Sequence, residues 1–332
     1  MVREENAVKK IIAVSLYTSG GIMLFVFAYF TFKVVQSHPA ASYDPQPIES
    51  DIYRIVFISG DSGSPFWNRV KEGVYEVASH NQAAIEFKET FHADFGEYLK
   101  SIDMAIAARV DGIIVQGKEN PDFIRIVNKA SQKGIAVITV FTDAPDSLRK
   151  SYVGPNHYQE GVVIGEHIAA QLDEEKKVCL VYGAEPIGYL SLRKKGLQDA
   201  LGGSYPQIEL VEAPLSVVSE QDGLKESNEL LNLYPECRAI VGLTVEAVDG
   251  IVQVIKARNR IQDYHIFAFD QDQESFEFFD QGIISAAFYQ YPEEIGAKSM
   301  KHILRWLEGK DNPLDRNYFT PVELISKKSS AP

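Results

Sequence analysis

The stretch Ser59-Gly-Asp-Ser-Gly-Ser-Pro-Phe-Trp67 contains a serine, Ser62, between an acid and a glycine, the residue types that acyl transfer uses. A nucleophilic serine needs a histidine base within hydrogen-bond reach, and that histidine needs an acid to orient it. Only His38 precedes Ser62. His92, His157 and His167 follow it without a motif that would make one of them its base. Ser64 and Pro65 have a simpler explanation. Serine suits a helix N-cap, and proline suits the first helical turn, where its missing N–H costs nothing. Ser62 is therefore assigned no chemistry, hydrolysis through it is the remote alternative, and the chain is expected not to be an enzyme.

The same stretch supplies Phe66 and Trp67 at a helix start. Aromatic faces stack on the apolar C–H faces of a sugar ring, while nearby polar atoms collect its hydroxyls. Adjacent helical residues point about 100° apart, so the two rings cannot both enter one core. At least one is expected to face a cleft. A run of acids, Asp270-Gln-Asp-Gln-Glu274, begins like a calcium loop, but Ser275 stands where such a loop needs glycine and Gln281 where it needs its closing glutamate. The run reads as a solvated helix start. No zinc, phosphate-loop or haem signature occurs, so neither metal nor cofactor is expected.

These residues sit in a chain of strand and helix alternating from Ile52 onward. "YRIVFIS" reads as a strand, and "FWNRVKEGVYEVA" has Phe66, Val70, Val74 and Val77 at helical spacing. The alternation continues through "IEFKET", "LKSIDMAIAA", "GIIVQ" and "AVITVF", and restarts after about Pro155. Such alternation implies parallel sheets covered by helices on both faces. The strands are too numerous for one small core, so two α/β lobes are expected. Ligands bind such sheets at the carboxyl ends of the strands.

Before Ile52 the character differs. Ile11 to Phe32 carries no charge; at about 1.5 Å per residue it spans roughly 33 Å, a bilayer's hydrocarbon thickness. Arg3, Lys9 and Lys10 precede it, which places the N-terminus in the cytoplasm and the rest outside. No cysteine lies just after the segment to carry a lipid. Residues 1–10 read as a cytoplasmic tail, 11–35 as a transmembrane anchor and 36–51, with Pro39, Pro45 and Pro47, as a tether. A signal peptide cut near "SHPAAS" is the competing reading. The net charge of −13 argues against nucleic acid as a partner. Cys179 and Cys237 lie beside apparent strands and read as buried free thiols, with a single disulfide as the alternative.

The strand–"GSPFW"–helix unit, followed by "SYVGPNHYQEG", "SLRKKG", "FAFD" and "FYQYPEEIG", resembles the ribose-binding-protein group of type I periplasmic solute-binding proteins. The resemblance covers nearly all of residues 52–327. It implies two doubly wound parallel-sheet lobes joined by a hinge: lobe 1 from 52–155 and 291–320, lobe 2 from 156–290 and 321–327. Phe66 and Trp67 correspond to the aromatic pair that sandwiches the sugar. Arg193 matches the arginine that meets sugar hydroxyls, and Asp270 the carboxylate that accepts from two of them; both are expected to face hydroxyls rather than an opposite charge. Gln290 matches a glutamine before the "P-x-x-I-G" turn. Asp143 aligns with a second acid of some relatives. Ser64, Gln116 and Thr244 occupy contact positions with other polar types. The chain departs from its relatives at Phe141, where many carry Asp, and at Thr244, where Asn or Asp is usual.

The resemblance implies a binding protein that closes on a monosaccharide. The sugar-responsive repressors share the fold but carry a DNA-binding helix pair where this chain has its apolar segment, which disfavours a cytoplasmic transcription factor. A spanning helix can report lobe closure to a membrane sensor histidine kinase. Handing the sugar to an ABC transporter permease is the alternative. The expected location is the cell membrane, single-pass, with the binding domain extracytoplasmic.

Overall fold

The computed structural model describes residues 29, 33, 52–60, 63–90, 94–172, 177–183, 188–212, 222–269 and 273–326. The chain divides between Ser50 and Asp51 into two units. In the first, Tyr29 and Lys33 are helical, and the rest of the expected anchor lies outside the described residues. Among the described residues no helix is long and apolar enough to cross a membrane. Ser62 and Asp270 also lie outside the described residues.

The second unit contains two six-stranded sheets. The first sheet begins with β1 (Tyr53–Ser59), α1 (Pro65–Ser79), β2 (Ala83–Glu89) and α2 (Phe95–Ala107). It continues with β3 (Gly112–Gln116), α3 (Pro121–Gln132), β4 (Ala136–Val140) and β5 (Ser151–Gly154), and takes β11 (Asn317–Phe319) as its edge. The strand order is β11-β5-β4-β3-β1-β2, all parallel. Every residue of β4 is buried and all but the last of β3. That burial follows from helices on both faces, and it is why these strands read as unbroken apolar runs rather than alternating ones.

The second sheet is built from β6 (Lys177–Val181), β7 (Glu209–Glu212), β8 (Ala239–Gly242), β9 (His265–Ala268), β10 (Ile284–Tyr289) and β12 (Glu323–Ser326). Its order is β12-β10-β9-β8-β6-β7, with β12 alone antiparallel. The helices of this half are α4 (His157–Gln171), α5 (Tyr189–Ser204), α6 (Asp222–Leu233), α7 (Val245–Ala257) and α8 (Gln273–Asp280). After β10 the chain returns to the first lobe as α9 (Pro292–Leu307), which packs Ile295, Met300 and Ile303 into the core beneath Val70 and Val74 of α1. The chain thus passes between sheets after β5, after β10 and between β11 and β12.

Two close contacts fix how α4 lies on α5. A Cβ added at Gly161 of α4 would lie 2.1 Å from the Arg193 carbonyl oxygen, and one at Gly196 of α5 would lie 2.0 Å from the Tyr158 carbonyl oxygen. Neither site admits a side chain, so α4 and α5 approach backbone to backbone. The first turn of α4 is thereby set against the middle of the first half of α5.

One expectation is corrected. Cys179 and Cys237 are not free thiols; they are joined in a disulfide, and both are fully buried. Cys179 lies on β6, and Cys237 precedes the neighbouring strand β8, with the two Cα atoms 6.3 Å apart. Pairing of β6 with β8 creates that proximity, and no sequence spacing reveals it.

Candidate ligand-binding site

The carboxyl ends of the two sheets meet. From the first lobe, β4 ends at Val140 and the next residue, Phe141, takes a left-handed backbone with φ of 62°. That conformation is uncommon for a bulky residue. Three hydrogen bonds hold it: its N–H donates to the Val153 carbonyl (3.0 Å), and its own carbonyl accepts from Tyr152 Oη (2.8 Å) and His157 Nε2 (2.8 Å). The Phe141 ring is carried against Phe66 at 4.8 Å between centroids and edge-on to Trp67 at 6.0 Å. Across the cleft, Tyr189 at the start of α5 lies 6.2 Å from Phe141 and 5.1 Å from the His157 ring. Rings from both lobes therefore form one apolar wall.

Beside this wall is a buried polar cluster centred on Glu160, in the first turn of α4 and 2% exposed. Its Oε2 accepts from His157 Nδ1 (2.9 Å) and Arg193 Nε (3.1 Å), and its Oε1 from Gln290 Nε2 (3.2 Å). Arg193 has no solvent exposure; its Nη1 donates to the Leu243 carbonyl (2.8 Å), and its guanidinium lies over the Tyr189 ring at 5.0 Å and over the Phe269 ring at 4.8 Å. Gln290 also donates to the Phe269 carbonyl at 2.6 Å. Burial by itself would raise the Glu160 carboxyl, but the charges of Arg193 and His157 and their hydrogen bonds reverse this and hold it below the ordinary carboxylate value. The cluster ties the first crossover (His157) to the second (Gln290) through one ionised carboxylate.

The lips of the cleft also approach. A Cβ added at Gly188, the residue before α5, would lie 3.5 Å from the carboxyl carbon of Glu119, which follows β3 in the other lobe. Burial pushes the Glu119 carboxyl up, and Asp143 and Asp146 add to that push.

Residues 55–311 match the periplasmic binding protein domain family. The chain belongs to the periplasmic binding protein family. Its members bind solutes and are not enzymes. The ribose import binding protein RbsB of Escherichia coli is 20% identical over 82% of this chain and 90% of its own length. The structure of GanP, a glucose-galactose binding protein from Geobacillus stearothermophilus, superposes with a TM-score of 0.78 at 28% identity, covering 84% of this chain and 99% of GanP. XylFII in a XylFII-LytSN complex gives a TM-score of 0.73 at 25% identity, covering 83% and 98%.

Within this periplasmic binding protein some of the residues singled out in the sequence meet in one place and others are engaged apart from it. Phe66, Arg193 and Gln290 meet at the aromatic wall and the Glu160 cluster. Trp67 is close by but 4% exposed, packed on Phe57 and edge-on to Phe66 and Phe141, so its ring belongs largely to the core of the first lobe. Ser64 caps α1 without a side-chain hydrogen bond. Gln116 Oε1 accepts from the Gly60 N–H at 3.3 Å, steadying the start of the loop after β1.

The hydroxyl of Thr244 is engaged locally. It accepts from the Ala247 N–H at 3.2 Å as the N-cap of α7 and donates to the Tyr182 carbonyl at 3.1 Å. Asp143 is held by the Arg149 fork at 2.5 Å on each oxygen and accepts from Thr139 Oγ1 at 2.6 Å. Arg193 meets a carboxylate of its own lobe, where sequence reasoning set only sugar hydroxyls before it. Glu160, His157 and Tyr189 were not singled out from sequence. An acid in a first helical turn is what any helix start shows, so Glu160 carries no distinguishing signal.

Proposed function

We propose that this chain is an extracytoplasmic sugar-binding protein whose two lobes close on a monosaccharide, and that it presents the closed form to a membrane sensor histidine kinase. The observation that carries the reading is the pairing of an aromatic wall, drawn from both lobes, with a buried Glu160–Arg193–Gln290 cluster at the strand ends. Ring faces and fixed donors side by side are what a sugar, apolar on its faces and polar at its edge, requires. Phe66, Arg193, Gln290 and Asp270 are the residues assigned to the sugar, with Trp67 backing Phe66 from the core and Asp143, Ser64, Gln116 and Thr244 around them. The solved relative named for glucose-galactose binding supports the ligand class.

The sensing role is supported by the relative solved as a XylFII-LytSN complex and by the uncharged segment Ile11–Phe32, which would hold the protein beside a membrane partner. Transport is the second reading, favoured by the relative named as an import binding protein. Co-expression of the full chain with the sensor kinase and the permease encoded nearest to it separates the two. Sugar-dependent co-purification with the kinase is expected, and association with the permease alone would move the assignment to transport. A mature protein starting near Ala40 or Ala41 would contradict the anchor.

A further inference from the structure

Every donor that the buried cluster directs at Glu160 is one that could clamp a ligand carboxylate. The planar guanidinium of arginine binds carboxylates in preference to hydroxyls, because charge-assisted bonds are the stronger ones. In a cleft closed to water that preference grows, since the surrounding dielectric falls. An unopposed Arg193 would therefore select sugar acids over sugars. In this chain Glu160 Oε2 already accepts from Arg193 Nε and His157 Nδ1, at 3.1 and 2.9 Å, and Oε1 from Gln290 Nε2 at 3.2 Å.

We propose that Glu160 is a specificity-determining residue: it supplies from within the protein the carboxylate that Arg193, His157 and Gln290 would otherwise take from a ligand, so the site admits neutral monosaccharides and rejects their uronic and aldonic acids. The inference rests on the sugar-binding reading and names which sugars that site accepts. Glu160 cannot yield its place easily. It is 2% exposed, and its helix is pressed against α5 at Gly161 and Gly196, where not even a methyl group fits. A ligand carboxylate would have to lie against a fixed like charge with little water to screen it, which is discrimination by repulsion.

The test is calorimetric titration of the full chain in detergent with D-ribose, D-xylose, D-glucose and D-galactose, and with D-xylonate, D-glucuronate and D-galacturonate. The native chain is expected to bind at least one neutral sugar and to bind the acids at least a hundredfold more weakly. Glu160→Gln is expected to bind an acid at least tenfold more tightly than the native chain does, while losing affinity for the neutral sugar. A purely structural role for Glu160 would weaken both ligand classes alike; that result, or native binding of an acid as tight as the neutral sugar, overturns the proposal. Should Glu160→Gln not fold, Glu160→Asp keeps the charge but withdraws it by one methylene, and a native acid-to-neutral ratio in that variant overturns the proposal equally. A native chain that binds no neutral monosaccharide overturns the sugar reading itself, whereas sugar binding without the acid response overturns the role of Glu160 alone.

Discussion

Arg193 and Glu160 form an ion pair with almost no solvent to share its field, which sets what substitution there will do. Taking away one partner leaves the other buried and uncompensated, at a cost of about 3–5 kcal/mol. Arg193→Ala is expected to lower unfolding stability by that amount in a denaturant titration, in addition to any loss of sugar affinity. The double variant Arg193→Met with Glu160→Gln removes both charges and is expected to recover at least half of the loss. A single variant as stable as the native chain would mean that the pair is open to solvent. Arg193 was legible in the sequence through the "SLRKKG" resemblance. Its partner was not, because an acid early in a helix has an ordinary explanation in the helix dipole. Phe141 was legible as a departure but not as a ring in contact with both lobes, which needs its positive φ and the three hydrogen bonds that hold it.

At the scale of elements, the site depends on how closely α4 and α5 pack. Gly196→Ala places a methyl where only 2.0 Å separates the Cβ position from the Tyr158 carbonyl oxygen, so the helices must part. Overpacking of this kind costs about 1–3 kcal/mol, and here it also shifts Arg193 relative to Glu160. A lower melting temperature together with weaker sugar binding is expected; a fall in stability with unchanged affinity would uncouple the helix contact from the site.

A second element-scale outcome concerns α9. His302 stacks on Tyr318 at 3.5 Å and 12°, its Nδ1 is buried without a hydrogen-bond partner, and burial pushes its ring down to about 4, with Lys301 adding to that and Asp311 opposing it. A base with a depressed folded value binds fewer protons folded than unfolded, so stability should fall as pH drops from about 6.5 towards 4. Glu160 works in the same direction at the lower edge of this window: its contribution is present above the ordinary carboxylate value and lost as pH falls through its depressed one. His302→Gln is expected to flatten the His302 part of the melting-temperature slope between pH 6.5 and 4.5. An unchanged slope would show that His302 is protonated in the folded chain.

For the molecule as a whole, the periodic part of the sequence carried the architecture. Unbroken apolar strands such as "GIIVQ" and "AVITVF" implied parallel sheets, and the structure has two of them. The antiparallel edge strand β12 and the Cys179–Cys237 bond were less legible, since both arise from neighbours brought together only by the fold. What unites the scales is a cleft whose rings come from both lobes and whose polar cluster joins two of the three crossovers, so a ligand placed there would be held by both lobes at once. Titration calorimetry of the full chain with neutral monosaccharides tests this most directly. One or two sugars are expected to bind saturably with one site per chain, and Phe66→Ala and Arg193→Ala are each expected to weaken them by at least tenfold. Silence across the sugars, with amino acids or peptides bound in their place, would contradict it.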